Sequence, residues 1–472
     1  MLKDFDFDLP QALIAQHPLD RGKSRLLHRS ADGKLDDMEF CQIYDLLEPG
    51  DVLVLNNTRV IPSCLQGYVN GVKLKINLIN RVNGCDGEQW EFLSQPRKKI
   101  KLGSIVQFSH QLVGVVIKKF NQNALDVMEF FICPIMKNTL SNSDILDRHR
   151  ELSDEQSSDN VIGYPKKNTI QPEDYITQNI SNNAINNINH QSQLGAITDI
   201  YNQINSEDIQ SLIDSDNQIK TKPEDYITQN ISNNAINNTN HQSQLGVITD
   251  IDNQFIPISK IDFFSLLHQI GAMPLPPYMK RDASEDDQYS YQTVFAQSEG
   301  SVAAPTAGLH FSHELLDAVQ SKGVKIAYIT LHIGGGTFLP VRVDDISNHK
   351  MHSELYSIES STCDLINHAK LHNHRVIAVG TTVTRTLESA ALFCGNQLLS
   401  PHTRYTDIFI RENYEFKVVD CLVTNFHLPK STLFILVCAF IDSIVEGKKL
   451  YQHAIDAHYR FFSYGDACFL TR

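Results

Sequence analysis

Imidazole and carboxylate side chains occur close together in the stretch His349-Lys-Met-His352-Ser-Glu354. If this stretch is extended, His352 and Glu354 lie on one face, because side chains two residues apart in a strand point the same way. Such a pair can transfer protons near neutral pH, although a salt-bridged surface strand has the same spacing. The spacing matches no recognised zinc motif such as His-Glu-x-x-His, so we expect no metal site.

A run of three glycines follows His332, within His332-Ile-Gly334-Gly-Gly336-Thr337. Glycine allows the backbone to approach a ligand closely or to adopt a positive φ. The run lacks the Gly-x-Gly-x-x-Gly dinucleotide pattern and the lysine and serine of a Walker motif. It indicates either a tight turn after a strand or a loop that contacts substrate.

Hydroxyl, guanidinium and amide side chains follow two further apolar runs. Thr381 and Thr382 come after Val376-Ile-Ala-Val-Gly380 and could bind a carboxylate or phosphate, or only cap a helix. Arg385, one turn further, is suited to binding a carboxylate, or to a structural ion pair. Asn425 and His427 follow a third run in the same manner.

These candidate residues need a sheet to bring them together. Apolar runs alternate with amphipathic stretches that begin at helix-capping residues such as Ser312, which predicts a parallel or mixed α/β sheet covered on both faces. In such sheets, ligands bind beyond the carboxyl ends of the strands. The predicted strands are 51–55, 324–333, 375–380 and 418–423, and the predicted helices follow Phe263, Ser312, Thr381 and Ser431.

Short β-rich runs between residue 62 and Cys133 predict a compact all-β domain, a barrel or a sandwich. We therefore expect an α/β domain formed by residues 1–61 and 274–472, with a barrel-like domain at 62–273 inserted into it. The main part of the α/β domain carries the candidate loops.

Residues 137–255 differ from the rest in composition. They are rich in Asn and contain a near-identical duplication, because Pro172 to Ile200 recurs as Pro223 to Ile251. With 7 basic and 17 acidic residues, they account for −10 of the net charge of −14. We predict a long, disordered, low-complexity insertion, or else a small module that folds on binding.

Several classes of protein are disfavoured. The acidic first residues do not resemble a signal peptide, and the longest apolar run, Leu433 to Ile441, is too short to cross a bilayer. Nine cysteines without a Cys-x-x-Cys pair predict neither disulfides nor structural zinc. We expect a cytoplasmic protein that contacts no membrane.

Motifs along the chain outside 137–255 together resemble one family. They include Leu13-Ile-Ala-Gln-His-Pro18, Asn56-Asn-Thr-Arg59-Val-Ile-Pro62, Met273-Pro-Leu-Pro-Pro-Tyr278, Ala303-Ala-Pro-Thr-Ala-Gly-Leu-His-Phe311, Met351-His-Ser-Glu354, Val423-Thr-Asn-Phe-His-Leu-Pro429 and Tyr459-Arg-Phe-Phe-Ser-Tyr-Gly-Asp466. In this order they resemble the bacterial S-adenosylmethionine:tRNA ribosyltransferase-isomerase family of queuosine biosynthesis. The segment 137–255 lies outside the family pattern.

The resemblance implies a reaction. S-adenosylmethionine donates its ribosyl group to the aminomethyl side chain of 7-aminomethyl-7-deazaguanine in tRNA, and the sugar is rearranged to give epoxyqueuosine-tRNA, adenine and methionine. It implies no metal or other cofactor, since S-adenosylmethionine is a substrate, and we expect a monomer. The candidates for acid/base catalysis are His332, His352 and Glu354. The candidates for substrate binding are Arg59, Gly334, Gly336, Thr337, Thr381, Thr382, Arg385, Asn425 and His427.

Two alternatives stay open from the sequence. One is a different α/β transferase that acts on a small nucleotide without RNA. The other is a tRNA-binding protein that has lost catalysis because of its insertion.

Overall fold

Buried apolar runs of the sequence become the strands of two large sheets and one small one. The computed structural model describes residues 1–82, 87–120, 125–132, 256–276, 278–279, 281–338, 343–395 and 397–472. Both large sheets belong to one compact unit.

Some of the strands are fully buried, and others have one exposed face. They are β1 (Arg25–Arg29), β2 (Leu35–Glu39), β3 (Val52–Asn56), β4 (Thr58–Val60), β5 (Cys64–Val69), β6 (Val72–Val82), β7 (Glu88–Gln95), β8 (Ile105–Gln107), β9 (Leu112–Lys118), β10 (Asp126–Ile132), β11 (Ile256–Pro257), β12 (Ser298–Ser301), β13 (Lys325–Leu331), β14 (Glu354–Ile358), β15 (Val376–Val379), β16 (His402–Thr406), β17 (Cys421–Asn425) and β18 (Ala467–Thr471).

The helices lie mainly in the second half of the described chain. They are α1 (Ile43–Leu46), α2 (Lys260–Ile270), α3 (Asp287–Ser290), α4 (His313–Ser321), α5 (Ser360–Leu371), α6 (Thr381–Cys394), α7 (Thr432–Phe440) and α8 (Ile444–Asp456). Short 3-10 helices are formed by Leu2–Phe5, Gln11–Leu13, Phe40–Gln42, Arg97–Lys99, Thr306–His310, Gly335–Phe338 and Ile346–Asn348.

The larger sheet is mixed and has the strand order β16-β14-β13-β3-β15-β17-β18-β1-β2. Strands β13, β3, β15 and β17 run parallel, so their carboxyl ends share one edge. All five residues of β3 are buried, and its side chains alternate between two hydrophobic clusters. Helices α5 to α8 cover one face of the sheet, while α1 and α4 cover the other.

The second sheet closes into a six-stranded barrel. The sheet has seven strands in the order β11-β10-β7-β6-β5-β8-β9. The additional pairing of β9 with β10 closes six of them into the barrel, and β11 pairs with β10 outside the closed ring. Trp90, Phe92 and Phe130 fill its interior, and Phe263 of α2 packs onto them. A small barrel whose interior is filled by side chains has a packed core and no channel.

Short strands join the barrel to the larger sheet. β4, just before the barrel, pairs in parallel with β12, which follows it. Cys64 and Ala272 exchange backbone hydrogen bonds of 3.1 and 2.8 Å. Since the entry and exit of the barrel are hydrogen-bonded to each other and to neighbouring strands, the barrel is held next to the carboxyl edge that carries the candidate loops.

The predicted fold class is confirmed, with a mixed α/β sheet and an inserted barrel. Three of the predicted helix starts are observed: α6 begins at Thr381, Ser312 accepts a hydrogen bond from the Leu315 amide at 3.2 Å, and Ser431 caps α7 in the same way. The helix predicted from Phe263 begins earlier, at Lys260, because Ser259 caps it by accepting from the Asp262 amide. The strand predicted at 418–423 begins later, at Cys421, because the amides of Val418 and Val419 donate to the buried Glu388 carboxylate.

The division of the chain at residues 61 and 273 stays a prediction. The segment 137–255, predicted to be disordered, lies outside the described residues. Among the helices that the structure describes, none is long and apolar enough to span a membrane.

Candidate active site

The carboxyl ends of three parallel strands bring the candidate residues together. His332 follows β13, Thr381 and Thr382 begin α6 directly after β15, and Asn425 is the last residue of β17. Gly380, between β15 and α6, has a φ of 96°, a conformation that favours glycine because it has no Cβ. The chain can therefore turn sharply and direct the first turn of α6 to the strand ends.

A buried ion pair lies at the centre of this edge. Arg385 of α6 donates through Nη1 to Oε2 of Glu354, the first residue of β14, and both side chains are at most 5% exposed. The Gly334 amide donates to the other carboxylate oxygen at 3.2 Å. A second guanidinium nitrogen, Nε, donates to the Ile408 carbonyl at 3.3 Å. Glu354 is thus held by Arg385 and by the first amide of the glycine loop, which consists of Gly334, Gly335 and Gly336.

A first cavity, called the Arg385 cavity here, has a volume of about 80 Å³. Three of its lining residues carry a buried polar atom without a hydrogen-bond partner: Thr382 Oγ1, Arg385 Nη2 and Asn425 Oδ1. Unpaired buried polar atoms are costly and uncommon, so three around one cavity indicate a binding site. Its other lining residues include Ala303, Ala304, Pro305, Thr306, Ala307, Ile333, Gly380, Thr381, Thr424, His427, Leu433, Phe462 and Ser463.

The orientation of the Asn425 amide is set by its neighbours. Its nitrogen donates to the Phe462 carbonyl at 3.2 Å and to Nε2 of His310 at 3.1 Å. A carbonyl oxygen only accepts, so the amide nitrogen must face it, and Oδ1 is left as the free acceptor. His310 in turn hydrogen-bonds Ser24 through Nδ1 at 2.7 Å.

Two histidines at this edge are buried and neutral. Burial, with smaller contributions from Arg460 and Arg21, lowers the pKa of His310 to about 3. Burial lowers the pKa of His427 to about 3, and its Nε2 hydrogen-bonds Thr424 Oγ1 at 3.0 Å. Both imidazoles therefore act as uncharged hydrogen-bonding groups near neutral pH.

A second cavity of about 70 Å³, the His332 cavity, shares Ile333 with the first. Thr58 Oγ1 donates to the Ser298 carbonyl at 3.3 Å, so its oxygen accepts from Nδ1 of His332 at 2.9 Å. This arrangement leaves the lone pair on Nε2. Burial, then the charges of Lys260 and Arg81, lowers the pKa of His332 to about 4. The ring is therefore neutral at pH 7.

Glu354 lines the His332 cavity, whereas His352 does not. His352 is exposed and lies just before β14, with its ring against Gly336: a Cβ at that glycine would be 2.3 Å from the His352 Cδ2 atom. Gly334 is equally tight, since a Cβ there would lie 1.8 Å from Asn80 Oδ1. Gly334 and Gly336 leave space for the side chains of Asn80 and His352, which is a structural reason for the run of three glycines.

The two remaining candidates from the sequence are Arg59 and Thr337. Arg59 is 45% exposed, and its Nε is 3.8 Å from Oε1 of Glu299, which lines the His332 cavity. The side chain of Thr337 lies outside the described residues. Sequence reasoning gave no site role to Thr58 or Ser24, whose hydrogen bonds orient His332 and His310. Thr58 lies in the family-like motif Asn56 to Pro62, and Ser24 begins a further one, Ser24-Arg-Leu-Leu27; these motifs were the only signal in the sequence.

A large cleft of about 1140 Å³ lies between the barrel and the segment from Met273 to Asp282. It reaches Gly335 of the glycine loop and shares Ile79 with the His332 cavity. The cleft, the His332 cavity and the Arg385 cavity therefore adjoin in that order. Among the described residues, no three His, Cys, Asp or Glu side chains are grouped closely enough to hold a metal ion.

The model of one protein family, described as queuosine biosynthesis protein, matches residues 2–153 and 167–470. The chain belongs to this family, as the resemblance of its motifs predicts. The family match therefore assigns the chain to queuosine biosynthesis. The match also includes most of the segment 137–255, so the prediction that this segment lies outside the family pattern is not supported.

Among solved structures, the chain is similar to the crystal structure of an S-adenosylmethionine tRNA ribosyltransferase from Thermotoga maritima, determined at 2.00 Å resolution. The sequence identity is 24%, with 99% of this chain and 99% of that chain covered, and the TM-score is 0.41. The assignment to the family rests on the family match.

Proposed function

We propose that the chain transfers the ribosyl group of S-adenosylmethionine to 7-aminomethyl-7-deazaguanine in tRNA and isomerises it, which gives epoxyqueuosine-tRNA, adenine and methionine. The proposal adds the donor, the acceptor and the products to the family assignment. It rests on one observation, the three unpaired buried polar atoms of the Arg385 cavity.

These atoms suit the amino-acid end of S-adenosylmethionine. Arg385 Nη2 can donate to a carboxylate, Asn425 Oδ1 can accept from an ammonium group, and Thr382 Oγ1 can do either. A cavity of about 80 Å³ is far smaller than the roughly 300–1,000 Å³ of common ligand pockets. It would therefore hold only this end, and the sulfonium and ribosyl groups would extend towards Ile333 and the His332 cavity.

The carboxylate of Glu354 lies where the sulfonium would pass. It lines the His332 cavity and contacts the guanidinium that lines the Arg385 cavity. A fixed negative charge at this place stabilises a sulfonium electrostatically. The Glu354–Arg385 ion pair would thereby orient both ends of the methionine portion.

The reaction needs at least two proton-transfer groups. A base removes the acidic proton beside the sulfonium, adenine takes up a proton as it leaves, and the attacking amine loses one. We assign the accepting role to Nε2 of His332, because it keeps its lone pair beside the cavity. His352 and Glu354 remain candidates for the other proton transfers.

Release of adenine from S-adenosylmethionine tests this function. We expect release only with tRNA that carries the aminomethyl base, and a fall of ~10²- to 10⁴-fold for His332→Ala, as for removal of an acid/base group. His352→Ala and Glu354→Gln are measured alongside, with folding checked by thermal unfolding. Release without RNA would indicate a small-nucleotide transferase instead. Tight tRNA binding without any release would indicate a binding protein that lacks catalysis.

A further inference from the structure

The wall of the large cleft on the barrel side is a polar, cationic surface. Alternation along neighbouring strands directs one set of side chains outward, into the cleft, while the residues between them are buried. We call this set the barrel wall. It consists of Gln66 and Tyr68 of β5, Lys73, Lys75 and Asn77 of β6, and Gln95 of β7.

The strand register places these side chains in rows. Tyr68 is opposite Lys73, and Lys75 lies between Gln66 and Gln95. Side chains directly opposite on neighbouring strands are about 5 Å apart. The barrel wall is therefore one continuous surface, and the cleft that it lines extends to Gly335 at the candidate active site.

The chain continues from the barrel wall into a second group of cations, called the lysine turn: Lys98, Lys99 and Lys101. These residues follow Gln95 closely, they are exposed, and none forms an ion pair with a described residue. The only carboxylate among the described residues that line the cleft is Asp282, which lies 3.8 Å from Lys75. Lys73, Lys75 and Arg281 thus line the cleft against this one carboxylate, and the lysine turn adds three exposed cations further along the chain. In a chain of net charge −14, this is a local excess of positive charge.

Tyr68 adds an aromatic surface. It is 48% exposed and stands beside Lys73 on the same face. Exposed aromatic rings between cations are the arrangement on which single-stranded nucleic acids bind, because bases stack on the ring while lysines contact the phosphates. The amides of Gln66, Asn77 and Gln95 can hydrogen-bond base edges.

We propose that the barrel wall and the lysine turn bind the single-stranded loop of the tRNA, with a base stacked on Tyr68 and the backbone along the lysines. This inference deepens the proposed function and rests on it. The loop would pass through the large cleft, so that one nucleotide reaches the His332 cavity from the side of Ile79.

Binding of a tRNA transcript, measured by fluorescence anisotropy at several salt concentrations, tests the proposal. For Lys73→Gln/Lys75→Gln and for Lys98→Gln/Lys99→Gln/Lys101→Gln we expect weaker binding, with the salt slope reduced by about one for each phosphate that a lysine no longer neutralises. Tyr68→Ala should weaken binding about tenfold, whereas Tyr68→Phe keeps the ring and should bind like the wild type.

Two controls distinguish failure of this inference from failure of the proposed function. Lys325→Gln changes an exposed lysine at the start of β13, at the opposite edge of the sheet, and should not affect binding. S-adenosylmethionine binding, followed by calorimetry, should be unchanged in every variant. Normal tRNA binding by the lysine variants, or equal competition by a fully base-paired RNA or an acidic peptide, would overturn the inference alone. A wild-type protein that binds no S-adenosylmethionine would overturn the proposed function.

Discussion

At the scale of single residues, Arg385 links the two small cavities. Its Nη1 donates to the buried Glu354, while its Nη2 has no partner, and the residue lines the Arg385 cavity. Removing one member of a buried ion pair costs about 3–5 kcal/mol, because the other charge is left unpaired. Variants of Arg385 alone would therefore mix loss of binding with loss of stability.

Thr382 offers a cleaner test of the Arg385 cavity. Thr382→Val removes a buried hydroxyl that has no partner within the protein, from a residue that lines the cavity. We expect KM for S-adenosylmethionine to rise about three- to tenfold, the equivalent of one hydrogen bond, with little change in kcat.

Thr386→Val is the matched control for this measurement. Its hydroxyl is also buried and unpaired, on the same helix α6, but it does not line the cavity. Both variants should be at least as stable as the wild type. Equal KM values for the two variants would show that the cavity does not bind this substrate.

The sequence predicts the types of residue at the site better than their contacts. Thr381, Thr382, Arg385, Asn425 and His427 are proposed together from it, and all five line one cavity. The Glu354–Arg385 ion pair could not be deduced, because it joins a strand and a helix 31 residues apart. The exposure of His352 also depends on tertiary packing, which spacing alone does not determine.

At the scale of elements, the strand ends hold three neutral imidazoles away from water. The pKa values of His310 and His427 are about 3, and that of His332 is about 4, against an ordinary value of 6.5. The unfolded chain therefore binds more protons than the folded chain between these values. Stability is fully present above about pH 6.5 and is lost as the pH falls towards 4.

Chemical unfolding between pH 7 and 4.5 measures this effect. Each imidazole should contribute up to ~1.4 kcal/mol per pH unit to the decline of the unfolding free energy. We expect His310→Gln to be less dependent on pH in this range, and His17→Gln, at an exposed position, to follow the wild type. Identical slopes for His310→Gln and the wild type would show that burial does not hold this ring neutral.

Elements are the features that sequence patterns predict best. Apolar runs indicate the strands β3, β13 and β15, and serines indicate the starts of α4 and α7. The barrel is predicted only as a compact all-β domain, because short alternating strands do not reveal which edges pair. Closure depends on the pairing of β9 with β10.

At the scale of the whole molecule, the closed barrel and the mixed sheet form two walls of the route to the candidate site. The large cleft, the His332 cavity and the Arg385 cavity adjoin through Ile79 and Ile333. A polymer can enter from the cleft while a small molecule occupies the inner cavities. This order suits a transferase that joins a nucleotide of tRNA to part of a small donor.

The proposed function requires that the ribosyl group, and no other part of S-adenosylmethionine, is transferred to tRNA. The most direct measurement uses two donors, one labelled in the ribose carbons and one labelled in the methyl group, with tRNA that carries 7-aminomethyl-7-deazaguanine. We expect that only the ribose label enters the tRNA and that adenine and methionine are released in equal amounts. Entry of the methyl label, or of neither label while the donor is consumed, would contradict it.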